Sequence, residues 1–205
     1  MTLVDSWCIV KISFSGVYGC MFELKFSTER LIIREYTKSD IDDFLEVVRQ
    51  PELYSTTYGI PREYSRKRAK NWLKFVKNNI RNMQSYEFGM FLKDDERYLG
   101  NVGLINVSML HNHADISYYM DIHFQNMGLT TEAAQEMLCF GFKTLGLEKI
   151  SGLCMSMNRP SRRVMEKIGM TYEGTMRNDL LKDGVYYDID RLSILRNEYF
   201  TNSKC

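Results

Sequence analysis

"FQNMGLTTEAAQEML", residues 124–138, sets a glycine, Gly128, and two hydroxyls, Thr130 and Thr131, at the mouth of a stretch with helical spacing. The first turn of a helix leaves about four backbone N–H groups without intrahelical partners, and its dipole end is partly positive. A glycine beside it lets an anion, a phosphate above all, approach the backbone. Upstream, "ADISYYMDI" (114–122) reads as a strand. Downstream, Ala134, Met137, Leu138, Phe142 and Leu145 form one apolar stripe that Gly146 ends. The stretch is therefore the loop of a strand–glycine loop–helix unit.

Working outward, "RLIIREY" (30–36) predicts a strand and "SDIDDFLEVVRQ" (39–50) a helix capped by Ser39 and stopped by Pro51. "SRKRAKNWLKFVKNNI" (65–80) predicts a second helix, whose Arg66, Lys67, Arg68 and Lys70 read as a solvated face or a docking patch for acidic groups. "YEFGMFL" (86–92), the turn "KDDER" and "YLGNVGLINVS" (98–108) read as a hairpin that runs into 114–122. After the central helix come a buried strand, "KISGLCMS" (149–156), a short helix, "SRRVMEKIG" (161–169), and a strand, "MTYEGTMRND" (170–179). "LLKDGV" turns the chain into a last strand, "YYDIDRLSIL" (186–195). The order gives an α+β domain, a mixed and mostly antiparallel sheet flanked by helices.

The 205 residues suit one domain, and 44% hydrophobic with 26% charged residues is an ordinary globular composition. A net charge of +1 offers no global attraction to nucleic acid or an anionic membrane, so neither is expected as a partner. No apolar run approaches the roughly 18 residues of a membrane span. Five cysteines (Cys8, Cys20, Cys139, Cys154, Cys205) lack a CxxC pair and read as free thiols of a cytoplasmic protein. His111 and His113 share a polar turn without further ligands nearby, so no metal site is expected. Residues 1–20 lack the organisation of a signal peptide, and Met21 opens a stretch that reads as a natural start. The expectation is an extension at 1–20 outside a single domain spanning 21–205, with an added edge strand such as "WCIVKISF" as the alternative.

Neither GxGxxG nor GxxxxGK[ST] occurs, so a dinucleotide fold or P-loop finds no support. Gln125-x-x-Gly128-x-Thr130 followed by "TEA" (131–133) resembles the acetyl-coenzyme A signature of the GNAT superfamily of N-acetyltransferases. "NRPSRRVMEKIGMTYEG" (158–174) and "ERLIIREYTKSDID" are similar to the ribosomal-protein-alanine acetyltransferase branch of that family. The resemblance covers roughly residues 26–197 in matching order, with Thr130 in place of a small residue and Met165 in place of the tyrosine that many members use as a proton donor.

The resemblance implies the GNAT fold and acetyl-CoA as co-substrate, transferring acetyl to a primary amine, most plausibly a peptide or ribosomal-protein N-terminus. A small amine (polyamine or antibiotic) is the alternative acceptor, and a sensor that binds acyl-CoA without turnover the alternative class. It implies that backbone near Tyr119 and Met120 faces the thioester, and that Gln125, Asn126, Met127, Gly128, Leu129 and Thr130 hold the pyrophosphate. The resemblance implies that Asn158 binds the pantetheine or orients a water and that Ser161 serves the sulfur, whereas spacing alone favours helix capping for both. Asp179, ahead of Asp115, is the candidate base, although either reads as a solvated acid. Tyr118, Tyr119, Tyr186 and Tyr187 line the substrate cleft or pack across strands.

Overall fold

In the computed structural model, residues 10–13, 21–57 and 59–202 are described. Nine strands form one sheet in the order β1-β2-β3-β4-β5-β6-β7-β9-β8. They span Val10–Ser13 (β1), Met21–Ser27 (β2), Leu31–Arg34 (β3), Tyr86–Leu92 (β4), Tyr98–Ser108 (β5), His113–Met120 (β6), Lys149–Met155 (β7), Thr171–Lys182 (β8) and Val185–Leu195 (β9). Every neighbouring pair is antiparallel except β6 with β7. That exception follows from connectivity, since a parallel pair needs a crossover, and the helix α4 (Leu129–Cys139) supplies it.

Each face of the sheet buries a separate core. On one side α4 lays Ala133, Ala134, Met137 and Leu138 against Phe26, Phe88, Leu104 and Ile150. Phe26 meets Phe88 and Phe140 edge-on, with ring centroids 5.2 and 5.1 Å apart. On the other side α1 (Ile41–Val48), α2 (Pro51–Thr56) and α3 (Arg66–Arg81) enclose Phe44, Leu45, Val48, Leu53, Ala69, Phe91 and Tyr98. Trp72 of α3 stacks on Phe44 at 4.9 Å. The basic residues of α3 partly find partners: Arg66 pairs with Asp42, and Arg68 lies over the Tyr64 ring.

Three boundaries differ from the sequence reading. The α1 entrance is not capped by Ser39: the Asp40 carboxylate accepts from the Thr37 N–H and hydroxyl while Arg34 grips it with two nitrogens at 2.8 and 2.9 Å. Pro51 does end α1, but it also begins α2, because the first position of a helix has no use for the N–H that proline lacks. "LLK" (180–182) is strand rather than turn: the turn is only Asp183–Gly184, both at positive φ (50° and 77°), the two-residue hairpin that Asp-Gly favours.

At the far edge, β1 pairs with β2 from Val10↔Leu24 to Ser13↔Met21. Four residues of the N-terminal stretch therefore take the edge-strand form; residues 1–9 and 14–20 lie outside the described residues, as do Cys8, Cys20 and Cys205. Cys154 is a buried thiol and Cys139 a half-buried one. Among the described residues no helix is long and apolar enough to cross a membrane.

Glu136 on α4 is 8% exposed, and its Oε1 meets no hydrogen-bond partner among the described residues. Burial pushes its carboxyl from the ordinary 4.5 up to about 7. The fold therefore holds this proton more tightly than the unfolded chain does, and the stability it contributes below about pH 4.5 is lost as pH rises through 7. Glu136→Gln should melt higher than wild type at pH 8, with the gap closing toward pH 5. A gap that does not change with pH in scanning calorimetry would show that this side chain titrates as an exposed acid.

Candidate functional site

Strands β6 and β7 pair from His113↔Lys149 to Ile116↔Gly152, and there the ladder stops. β6 stays with β5 as far as Met120↔Gly100, while β7 follows β9 as far as Met155↔Ile189. The two strands diverge because each keeps its outer partner. A cavity of about 780 Å³ fills the opening, with Ser117–Met120 on one arm and Leu153–Met155 on the other. Backbone groups that face this gap have no strand to pair with, so the cleft offers hydrogen bonds to an extended ligand.

At the wide end the cleft meets the loop 125–130. Gly128, at φ 80°, is the N-cap of α4, a left-handed conformation that favours glycine. Having no side chain, it leaves the first amides of α4 uncovered; among the described residues only the fourth is used, with Glu132 N–H donating to Gly128 O at 3.0 Å. Asn126, also at positive φ (61°), turns the loop just before it. Thr130 lines the cavity from the second position of the helix and is not its cap. Gln125, Asn126, Gly128 and Leu129 share that lining. The exposed Met127 side chain does not, but its carbonyl accepts from Arg30 at 2.9 Å.

Arg30 belongs to an anchor that sequence reasoning missed. Glu132 accepts from the Arg30 Nε and backbone N–H, both at 2.8 Å, and from the Thr28 hydroxyl at 2.5 Å. Burial pushes the Glu132 carboxyl up, but these bonds outweigh it and hold the group below the usual carboxylate range. The turn before β3 thereby fixes both the loop and the start of α4. "ERL" and "TEA" stand about a hundred residues apart, so no local pattern could reveal the contact.

The narrow side is closed by α5 (Arg159–Lys167). Asn158 does cap this helix, its Oδ1 accepting from Ser161 N–H at 3.1 Å, and its Nδ2 also donates to Thr56 O at 2.9 Å, which ties α5 to the end of α2. The Ser161 hydroxyl stands 3.2 Å from the Tyr118 hydroxyl, and Tyr118 donates to Ser161 O at 2.9 Å. Burial keeps this phenol protonated well beyond its ordinary range. Met165 contributes apolar lining, so Tyr118, reaching over from β6, brings a phenol to this side of the cleft. Arg162 pairs at 2.9 Å with the buried Asp190, which also receives the hydroxyls of Ser156 and Thr175 at 2.6 Å each.

The opposite face of the cleft is walled by Glu52, Leu53 and Thr56 of α2 with Thr57, Gly59 and Ile60, and the β8–β9 tip holds α2 from outside the lining. Tyr54 donates to the Asp183 carboxylate at 2.7 Å, and Lys182 binds the carbonyls of Tyr54 and Thr57. Gln50 bridges the α1–α2 junction to the loop after β6, donating to Asp121 at 2.9 Å and accepting from Ile122 N–H at 3.1 Å. Asp115 lines this region and accepts from Asn106 at 2.9 Å. Asp179 is not brought in: it is exposed on β8, outside the lining, because the strand runs on to Lys182. Tyr119 lines the cleft as Tyr118 does; Tyr186 and Tyr187 do not. The His111 and His113 rings stack 5.9 Å apart in their turn, and no cluster of three metal-ligating side chains occurs among the described residues.

A family model described as acetyltransferase (GNAT) domain matches residues 30–171. The Bacillus subtilis protein named uncharacterized N-acetyltransferase YnaD is 29% identical over 176 residues, which is 86% of this chain and 99% of that one. The Escherichia coli spermidine N(1)-acetyltransferase is 26% identical over 110 residues, 54% of this chain and 59% of that one. The solved ribosomal-protein-S5-alanine acetyltransferase of Vibrio fischeri superimposes with a TM-score of 0.76 at 18% identity, covering 86% and 98%.

Asn158→Ala removes a cap and strands the Thr56 carbonyl together. It should cost about 1–2 kcal/mol of stability and speed hydrogen exchange selectively in residues 51–57. Exchange there equal to wild type would mean that the bond to Thr56 does not hold α2.

Proposed function

This chain belongs to the GNAT acetyltransferase family, and we propose that it acetylates the α-amine at the N-terminus of a peptide or protein. It is an acyltransferase that moves acetyl to nitrogen, with acetyl-CoA as co-substrate. The observation that carries the reading is the combination of an unpaired cleft between β6 and β7 with uncovered amides at the start of α4. An extended pantetheine suits the first, and a pyrophosphate suits the second.

In this reading Gln125–Thr130 bind the pyrophosphate, held in place by Arg30 and Glu132. Backbone of Tyr119 and Met120 faces the carbonyl and stabilises the oxyanion. When bound, acetyl-CoA supplies a thioester carbonyl and a thiolate leaving group. The Ser161 hydroxyl, backed by the Tyr118 phenol, hands that sulfur its proton. Asn158 acts by holding α5 and α2 at the correct separation around the cleft, the role its two bonds describe.

The acceptor is assigned on chemistry. An α-amine titrates near pKa 7.7–8.0, so a weak base suffices near neutrality, whereas a lysine-type amine near 10.4 needs a stronger one. The two acids of the lining, Glu52 and Asp115, are matched there by Arg163 and Lys167, a balance that suits one positive charge better than a polycation. The 158–174 match to the ribosomal-protein-alanine branch points the same way. The similarity to the spermidine enzyme favours a polyamine as the second reading.

Acetyl-CoA at about a hundred times its Kd should stabilise the fold by roughly 2.7 kcal/mol, or about 5–10 °C in Tm. Gly128→Val should abolish the shift, and Arg30→Ala should weaken binding several-fold with a smaller change in kcat. An unshifted wild-type melt at millimolar acetyl-CoA would remove the co-substrate. Thiol release should be faster with short peptides than with spermidine or aminoglycosides at equal concentration; the reverse order would move the acceptor to small amines and leave acetyl transfer standing.

A further inference from the structure

One half-buried acid, Glu87, stands behind the cleft wall, outside its lining, two strands from Ser117. Glu87 sits on β4 directly opposite Gly103 of β5, which in turn lies opposite Ser117 of β6. Directly paired residues project to the same face of a sheet, so Glu87, Gly103 and Ser117 form one row across three strands. Ser117 is the first residue of β6 beyond the point where β7 leaves, and it lines the cleft.

The middle of that row is open because position 103 is glycine. A Cβ there would stand 2.3 Å from the Tyr86 carbonyl and 3.1 Å from the Glu87 Cγ, so the glutamate arm itself lies over the glycine. From β4 to β6 is two strand spacings, about 10 Å. The arm covers roughly half of that, and one hydrogen-bonded water spans the rest.

The carboxylate is also aimed. Asn101 Nδ2 donates to Glu87 Oε2 at 3.4 Å, and the Asn101 carbonyl oxygen accepts from Tyr36 at 2.7 Å. That second bond sets which way the amide points, leaving its N–H for the glutamate. Tyr36 is joined to Tyr98 at 3.2 Å, and Tyr98 to Tyr119, which lines the cleft, at 2.9 Å. A chain of hydroxyls and one amide therefore runs from the cleft wall to this acid.

Resting on the acetyltransferase reading, the geometry points to Glu87, rather than Asp115 or Asp179, as the group that takes the proton given up by the acceptor amine, through one water above Gly103. Asn101 and Tyr36 are positioning residues. The acceptor enters as an ammonium, and one N–H proton passes by the water to the carboxylate and later to solvent. The freed lone pair forms the C–N bond, and the C–S bond breaks with its electron pair on sulfur. The remaining surplus proton on nitrogen is lost as the thiolate gains one through Ser161, which leaves amide and thiol.

The surroundings suit this work. Burial pushes the Glu87 carboxyl up to about 7, against the Asn101 bond that lowers it. The Tyr36 and Tyr64 phenols interact with it directly; Tyr98 and Tyr119 are bonded onward from Tyr36, the Arg68 guanidinium lies over the Tyr64 ring, Arg34 is held on Asp40 and Phe91, and Asp115 stands two places from Ser117 on β6. A base poised near the operating pH is the efficient one.

The test is Glu87→Gln, with kcat measured against pH at saturating acetyl-CoA, on the best acceptor found and on its β-fluorinated, less basic analogue. Wild type should show an acidic limb near pH 7. The variant should lose that limb and about a hundredfold in kcat on the ordinary amine, and distinctly less on the analogue, which needs less help to deprotonate. Its Tm at pH 8 should rise, since a buried charge is removed, so that the loss of kcat does not come from loss of fold. Asp115→Asn and Asp179→Asn should keep the limb. An intact limb in Glu87→Gln, or equal losses on both amines, would overturn the assignment. Should that variant not fold, Glu87→Asp decides: the limb kept with lower kcat supports the role, and unchanged kcat rejects it. A wild type that turns over no amine would instead strike the acetyltransferase reading.

Discussion

The parting of β6 from β7 after Ile116↔Gly152 is the constraint on which the rest of the molecule depends. In a closed sheet every inward-facing backbone group finds its ladder, and an opening within one leaves strong donors and acceptors without partners. This fold tolerates the opening because each arm remains bonded on its outer side, β6 to β5 and β7 to β9. Both cores are complete beneath it. The cleft is thus an unfinished piece of sheet that an extended, polar ligand finishes.

Its shape is held by contacts that bridge distant parts of the chain. Thr28 and Arg30 hold Glu132 at one end, Asn158 joins α5 to Thr56 at the other, and Gln50 fastens the α1–α2 junction to the loop after β6. Arg30 is 44% exposed, and an ion pair of that kind contributes at most about 1 kcal/mol. Its value is in direction. One guanidinium fixes a carboxylate and the Met127 carbonyl together, so the loop meets its ligand already in shape. Asp190 is the buried counterpart: burial would raise its carboxyl, but Ser156, Thr175 and Arg162 keep it ionised and join β7, β8, β9 and α5 around one point.

The two faces of the cleft divide the chemistry. Residues of β6 alternate, so Tyr118 turns toward α5 and Ser161, while Ser117 and Tyr119 turn toward α1–α3. In the proposed reaction, proton donation to sulfur and proton removal from nitrogen therefore lie on opposite sides of a single strand. A one-residue slip in the β5–β6 register would exchange these sets and destroy both.

Local signals determined much by themselves. The period-two and helical patterns located the central strands, α1, α3, α4 and α5, and the order of elements yielded the α+β class, because each element must bury one face. Gly128 before a helix marked the start of α4 and the loop proposed to hold an anion, since few other residues adopt that backbone and leave the amides bare. Two short-range readings failed: Arg34 made Asp40 rather than Ser39 the stop of α1's entrance, and pairing with β9 kept 180–182 in strand so that Asp183–Gly184 alone made the last turn; Pro51 ended α1 as read and also opened α2. Only the tertiary structure decided which acids could matter. Along the chain Asp179 ranked ahead of Asp115, yet Asp179 is exposed on an extended β8 and Asp115 lines the cleft. Glu87 carried no signal, because its setting arises from a glycine on β5 and a serine on β6 that register alone brings into line. Periodicity reports which side of an element is buried; which side chains meet across a sheet is set by strand order and register, and those are properties of the whole fold.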